Sequence, residues 1–165
     1  MKTGIKYGVM KMTVRNLLLE QLAAVYDENS WFVCYNVAIE ALTDYEVHTR
    51  TDEGQENTIA EIINHLYFYN SRYLSRFRGE EVKTYPSYYN TFQCHEGMKW
   101  SETSHQVQET FEGFRQSIRY CSDEKLVRWC EALTHIWLHN AYHIGQIVHI
   151  RKQFGSWRSS PVVRG

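Results

Sequence analysis

The chain has 165 residues, and at about 150 residues per domain this length predicts that residues 1–165 fold as a single domain. Hydrophobic residues make up 43% of the chain and charged residues 22%, a composition that excludes intrinsic disorder and allows a sizeable core. The formal net charge is -1, so the composition does not favour a nucleic-acid-binding protein, whose affinity depends on a basic surface.

The basic residues near the C-terminus are Arg151, Lys152, Arg158 and Arg164. Cations at the end of a last helix complement its dipole, and we prefer this interpretation to a DNA-binding site.

Nothing in the sequence predicts secretion or membrane insertion. The N-terminal region lacks the apolar run of a signal peptide, and no apolar stretch reaches the roughly 18 residues of a membrane span. The cysteines lack CxxC spacing and are Cys34, Cys94, Cys121 and Cys130. We therefore expect reduced thiols and a cytoplasmic protein that does not enter a membrane.

Apolar residues recur at helical spacing in four long segments. The first runs from about Val14 to Asp44, and the polar residues 27–30 divide it, with Ser30 as a candidate N-cap for its second part. The second segment opens on Thr58-Ile-Ala-Glu61, a capping-box spacing, and ends before Gly79.

The third segment starts near Ser101, and the fourth runs from the candidate N-cap Ser122 to about Phe154. No segment alternates apolar and polar residues over the length of a strand, so a sheet is not expected. The sequence therefore predicts an all-α fold, a four-helix bundle. The connection between the third and fourth helices is short, which predicts that these two are antiparallel neighbours.

The bundle has one long crossover loop, between helices 2 and 3, from Arg78 to Trp100. Its length of roughly twenty residues exceeds that of ordinary bundle connections. Five aromatic residues argue against disorder in it, namely Tyr85, Tyr88, Tyr89, Phe92 and Trp100. We expect this loop to pack at one end of the bundle and to cover a pocket there.

Histidines are the most informative side chains for chemistry. The eight are His48, His65, His95, His105, His135, His139, His143 and His149. His135, His139 and His143 are spaced i, i+4, i+8 on the fourth helix, and two imidazoles four residues apart can chelate one metal ion. The segment from His139 to His143 lacks the Glu of the zinc-protease motif, so a third ligand has to come from another helix.

Helical projection separates these histidines by the angle each makes with the centre of its helix's apolar arc. His143 lies roughly 80° away, His139 roughly 120°, and His65 of the second helix roughly 110–120°, whereas His135 and His149 project toward the surface. Spacing alone leaves two interpretations open, because a histidine at the flank of a core can bind metal or form an ordinary hydrogen bond at a helix interface.

Two blocks carry a family resemblance, residues 58–80 (TIAEIINHLYFYNSRYLSRFRGE) and residues 139–147 (HNAYHIGQI). Together with residues 17–46 they resemble the DinB-like superfamily, also called YfiT-like, in a likeness extending from about Leu17 to Phe154. In that family a histidine of the second helix and the two of HxxxHxGQ hold a divalent metal inside a four-helix bundle. The resemblance implies His65, His139 and His143 as ligands here. Many relatives have another histidine before the last ligand, where this chain has Tyr142.

Zinc or nickel is the metal we expect, although imidazoles also suit iron and copper. Some members of the family are low-molecular-weight-thiol S-transferases and one is a mycothiol-dependent isomerase, and relatives often form dimers. The resemblance therefore implies a metal-dependent enzyme, a thiol S-transferase or related hydrolase acting on a small thiol and an electrophile, and a homodimer. The alternatives are a non-catalytic metal-binding stress-response protein, acting as a dimer or through a partner, and a purely structural bundle.

Catalytic residues other than the metal ligands are not indicated by the sequence. Glu61 precedes His65 by one turn but its capping position already explains it. Gln146 is placed for a hydrogen bond to a histidine of the triad, and Asn140 projects near the core, where its amide needs a partner.

Overall fold

The computed structural model describes residues 12–51, 56–94, 97–157 and 163. The described residues form six helices and no strand, which confirms the all-α prediction. The helices are α1 (Val14–Tyr26), α2 (Tyr35–Ala38), α3 (Asp44–His48), α4 (Ile59–Arg78), α5 (Trp100–Tyr120) and α6 (Asp123–Gln153). None of them combines the length and the apolar character that crossing a bilayer requires. Arg158 and Arg164 of the C-terminal basic group lie outside the described residues.

The ends of α4 and α6 are where the sequence places them. The Thr58 hydroxyl accepts the amide of Glu61, whose carboxylate accepts the amide of Thr58, so two backbone donors at the start of α4 are paired. Gly79 ends α4 at a φ of 84°, in the left-handed region that glycine adopts without steric cost. Ser122 accepts the amide of Lys125 and opens α6.

The first predicted segment divides at the polar residues 27–30, as expected, and α1 ends at Tyr26. The second part, expected as a helix from Ser30 to about Asp44, is wrong in its detail, because α2 begins only at Tyr35 and ends at Ala38 and α3 begins at Asp44. The Asn29 side chain accepts the backbone N–H of Cys34 at 3.0 Å, and this bond favours a turn over a continued helix. Trp31 lies in this turn and is 79% exposed.

The four long helices pack in the order α4, α5, α1, α6, and α6 in turn contacts α4. The prediction that the last two helices are neighbours is therefore wrong, because α5 and α6 each pack against α1 and α4 instead. Large side chains of α5 and α6 meet across the core, where the rings of Phe114 and Trp137 lie 5.0 Å apart and edge-on. A short connection restricts the helix ends, but it does not force the helix sides together.

Arg15 of α1 holds the corner between α5 and α6. Its guanidinium donates to the carbonyl groups of Ile118, Arg119 and Cys121, and it pairs with Asp123 at 2.6 Å. These carbonyls lie at the end of α5 and have no partner within that helix. The Arg15 side chain therefore supplies the hydrogen bonds that the carbonyls lack.

Candidate metal centre

The three histidines implied by the family resemblance meet at the contact between α4 and α6. One nitrogen of each ring, His65 on α4 and His139 and His143 on α6, lies within 4.8 Å of the other two. The Nε2 atoms of His65 and His139 are 3.0 Å apart, and the His65 ring centre lies 4.6 Å from that of His143. His65 is 8% exposed and His143 6%, so the cluster is largely withdrawn from solvent.

Two of the rings are oriented by hydrogen bonds from their outer nitrogens. Nδ1 of His143 donates to the side-chain oxygen of Gln146 at 2.7 Å, and Nδ1 of His65 lies 2.7 Å from the hydroxyl of Thr91. A donor at Nδ1 leaves the lone pair on Nε2, the atom that faces the other rings. Outer partners of this kind fix the ring orientation of metal-bound histidines.

The donor set fits a divalent metal ion. Two neutral imidazoles whose Nε2 atoms are 3.0 Å apart are compatible only if one of them carries a proton between the rings, or if a cation replaces that proton. Nδ1 of His139 is buried and has no hydrogen-bond partner among the described residues, so His139 can change tautomer without losing a bond there. Three imidazoles also form a ligand set common at metal sites.

The surroundings keep these rings neutral. Burial, followed by the proximity of His143 and His139, lowers the pKa of His65 to about 3. Burial and then the charge of His139 lower the pKa of His143 to about 4, against the opposing effect of its bond to Gln146. Burial also lowers the pKa of His139. Since only the neutral ring binds metal, the three ligands are available at neutral pH without first losing a proton to solvent.

Part of the segment 79–99 covers the centre. The ring of Phe92 stacks on that of His65 with centres 4.0 Å apart and planes inclined by 12°. The Asn64 amide of α4 donates to the carbonyl oxygen of Phe92 at 3.2 Å and holds the segment in place. Tyr69 closes another side, with its ring 4.8 Å from that of His65 and 5.2 Å from that of His139.

Of the five aromatic residues expected to cover a pocket, Phe92 contacts His65, and the other four pack or project elsewhere. Tyr85 and Tyr89 pack against Phe68 on another part of α4. Tyr88 is 87% exposed, and Trp100 starts α5 and donates to a carboxylate oxygen of Asp44.

The remaining candidates divide as follows. His135 and His149 are exposed, as predicted. The predicted bond of Gln146 is present, and its partner is His143. Glu61 does not contact the triad, because it bonds to Thr58 and to Arg50. His95 lies outside the described residues.

Sequence reasoning missed Thr91 and the partner of Asn140. Asn70 and Asn140, both fully buried, exchange two amide hydrogen bonds of 2.8 Å each between α4 and α6. The helical projection predicted that Asn140 lies near the core and needs a partner, but it did not indicate Asn70. Nothing in the sequence distinguished Thr91 from other threonines.

Comparison with known families decides the assignment. The sequence model of the DinB superfamily matches residues 35–147, which is more than half of the chain and includes all three histidines. The chain belongs to the DinB superfamily. Comparison with the curated proteins and with the solved structures gave no match. Membership of the DinB superfamily and the three-histidine cluster are both compatible with a metal-dependent role.

Proposed function

We propose that His65, His139 and His143 together hold one divalent metal ion. The observation that carries the proposal is the convergence of three neutral imidazoles between α4 and α6, two of them oriented by hydrogen bonds from their outer nitrogens. We further propose that α1, α4, α5 and α6 form the four-helix bundle of the DinB superfamily, within a single domain of residues 1–165. Zinc and nickel are the ions we propose, because both accept imidazole ligands.

The site has the character of a catalytic metal centre, since three protein ligands leave coordination positions open. We propose a metal-dependent enzyme that transfers a low-molecular-weight thiol to an electrophile, or a related hydrolase. When bound, the ion would supply Lewis acidity that favours the thiolate over the thiol, or that lowers the pKa of water. Among the described residues, the hydrogen bonds of the three rings go to Thr91, to Gln146 and between His65 and His139, and none goes to a carboxylate.

The residues around the triad have separate tasks in this proposal. Thr91 and Gln146 hold the rings of His65 and His143 in the orientation that points Nε2 inward. Phe92 and Tyr69 exclude water from the faces of His65 and His139 that they contact. In the transfer itself, the thiol sulfur forms a bond to the electrophilic carbon, the leaving group departs with its electron pair, and the thiol proton goes to solvent.

The second candidate is a metal-binding stress-response protein without turnover, acting as a dimer or through a partner. The stacking of Phe92 on His65 favours it, because an aromatic ring against a ligand narrows the approach of a substrate. A homodimer and a cytoplasmic location are predictions common to both candidates.

Metal analysis tests the site. We expect about one divalent ion per chain in the purified protein, and strongly depleted metal in His65→Ala, His139→Ala and His143→Ala. His135→Ala and His149→Ala are matched controls because both residues lie on α6 and are exposed, and both variants should keep their metal. Full occupancy in all three triad variants would contradict the assignment.

Enzyme assays separate the two candidates. Loss of a fluorogenic or chlorinated electrophile is followed with several small thiols, using metal-loaded protein, chelator-treated protein and His143→Ala. Catalysed transfer should require the metal, disappear with the chelator and return when the ion is added back. The rate of uncatalysed thiol addition should not change with the chelator. If the loaded protein never exceeds the other two with any thiol, the transferase is rejected and the non-catalytic candidate takes its place.

A further inference from the structure

A pocket apart from the three histidines lies between α4 and described residues of the segment 79–99. The cleft has a volume of about 420 Å³, and its walls include Ser71 and Arg72 of α4 with Lys83, Tyr85, Tyr89 and Cys94 of the segment. None of the three histidines lines it. Neighbouring residues of α4 separate the two places, because Tyr69 contacts the triad while Phe68 contacts Tyr85 and Tyr89.

Two cations in this pocket have no carboxylate partner among the described residues. The Arg72 guanidinium lies 5.0 Å from the ring centres of both Phe68 and Tyr85, and the Lys83 ammonium lies 5.2 Å from that of Tyr85. Arg72 also donates from Nη1 to the carbonyl oxygen of Lys83. No ion pair of the described chain includes either side chain.

This arrangement holds the guanidinium in a fixed position while leaving most of its donors available. An arginine has five N–H donors in a planar fork that suits carboxylate and phosphate oxygens. The two rings and the Lys83 carbonyl restrict the Arg72 side chain before any ligand arrives, which reduces the entropy lost on binding. The position of Lys83 adds a second positive charge to the same cleft.

Aromatic surface forms the rest of the wall. The rings of Tyr85 and Tyr89 lie 4.3 Å apart, and Tyr89 stacks on Phe68 at 5.4 Å with planes inclined by 27°. The pocket therefore combines a positive end with flat aromatic faces, and its volume falls in the range of small-molecule sites.

We propose that this pocket binds a small organic anion carrying an aromatic ring, with the anion on Arg72 and Lys83 and the ring against Tyr85 and Tyr89. The site is separate from the metal centre, and the proposal does not depend on the function proposed for the histidines.

Calorimetric titration with phenyl phosphate tests the pocket. Benzoate carries the ring with one negative charge, inorganic phosphate the anion without the ring, and benzyl alcohol the ring without the charge. Phenyl phosphate should bind most tightly, benzoate more weakly, and the other two more weakly still. Equal binding of benzyl alcohol and phenyl phosphate, or no saturable binding of phenyl phosphate in the millimolar range, would overturn the proposal.

Substitutions locate the binding. Arg72→Gln should weaken phenyl phosphate binding about tenfold or more, because hydrogen bonds to charged groups are among the strong ones. Lys83→Gln, at an exposed position, should weaken it with no effect on folding. Arg76→Gln is the matched control, since Arg76 lies one turn further along α4 over Tyr73 and outside the pocket. Equal affinity in Lys83→Gln, Arg72→Gln and Arg76→Gln would show that these cations only attach the segment to α4.

Cys94 reports on occupancy directly. This exposed thiol lines the pocket, so phenyl phosphate should slow its alkylation by iodoacetamide, while Cys121 and Cys130 serve as internal references. Peptide mapping by mass spectrometry measures all three rates in one sample. The protection should be the same in metal-stripped protein, and its loss on metal removal would assign the anion to the metal centre and overturn the proposal.

Discussion

Thr91 connects the metal centre to a part of the chain that supplies no metal ligand. Its hydroxyl lies 2.7 Å from Nδ1 of His65, and the next residue, Phe92, stacks on the same ring. The two contacts act on different properties of His65, because the hydroxyl holds the orientation of the ring and the aromatic ring limits the access of water.

Replacing Thr91 with Val keeps the branched shape and removes the hydrogen-bond partner. We expect the metal affinity to fall about 10- to 100-fold, the usual cost of losing an outer partner of a histidine ligand. Thr91→Ser keeps the hydroxyl and should stay close to the original affinity, as should Thr110→Val, whose hydroxyl bonds within α5. Competition against a chromophoric chelator measures the affinity, and equal values for Thr91→Val and Thr91→Ser would show that the hydroxyl has no such role.

The metal-free protein should lose stability as the pH falls below about 6.5, the ordinary pKa of an unfolded histidine. The pKa is lowered in the folded state to about 3 for His65 and about 4 for His143, so in this window the unfolded chain binds more protons. The free energy of unfolding therefore rises with pH between these limits and falls toward acid.

Urea unfolding of metal-free protein between pH 7.5 and 5.5 measures this dependence. The free energy of unfolding of His65→Gln should fall less steeply toward acid than that of the original chain, because the variant lacks one of the histidines whose pKa is lowered by folding. His135→Gln, changed at an exposed position of α6, should follow the original chain. Identical slopes in all three proteins would refute the linkage.

For single residues, the sequence predicted the site residues that lie on regular helices and missed the one that lies in an irregular segment. His65, His139 and His143 project toward one region because α4 and α6 are regular, so projection and family resemblance agree on them. The bond between His65 and Thr91 joins residues from a helix and an irregular segment, and no periodicity relates them.

Among the elements, α4 and α6 are tied together by the buried pair Asn70 and Asn140. Each amide donates to the other at 2.8 Å, and Asn70 also donates to the carbonyl oxygen of Leu66. Asn140 is adjacent to His139 and Asn70 lies five residues beyond His65, so the pair fixes the register in which the ligands face each other.

Asn70→Leu should lower the free energy of unfolding by about 1–3 kcal/mol, because it leaves the Asn140 amide buried without a partner. Asn140→Leu should do the same from the other side. The double variant should recover much of the loss, since it buries no unpaired amide, but its metal affinity should stay lower because the register is less specified. Urea unfolding and chelator competition measure the two quantities, and additive losses of stability in the double variant would contradict the pairing.

Helix ends were more predictable than helix partners. Thr58, Glu61 and Gly79 act within a few residues, so their spacing determines where α4 begins and ends. The turn that follows α1 depends on the hydrogen bond from the Cys34 backbone N–H to the Asn29 side chain. This bond competes with a continued helix, and no periodicity in the sequence indicates it. The placement of α5 diagonal to α6 depends on how large side chains fill the core, and the length of a connection does not report this.

For the whole molecule, metal binding should raise the stability of the folded state. An ion that binds only the folded chain adds about 2.7 kcal/mol to the free energy of unfolding when its free concentration is 100 times its Kd. Thermal unfolding with and without chelator should show this increase in the original chain and in His149→Ala, and should not show it in His139→Ala. An equal increase in His139→Ala would mean that the ion binds elsewhere.

The stacking of Phe92 on His65 has a consequence for the rate of metal exchange. An ion that enters or leaves past His65 would have to wait until Phe92 moves away, so the movement of this ring would limit both association and dissociation. Removing the ring in Phe92→Ala would then speed both steps by similar factors and leave their ratio, the Kd, little changed. In a cell with competing chelators, such a protein would keep its ion by slow release, whatever its equilibrium affinity.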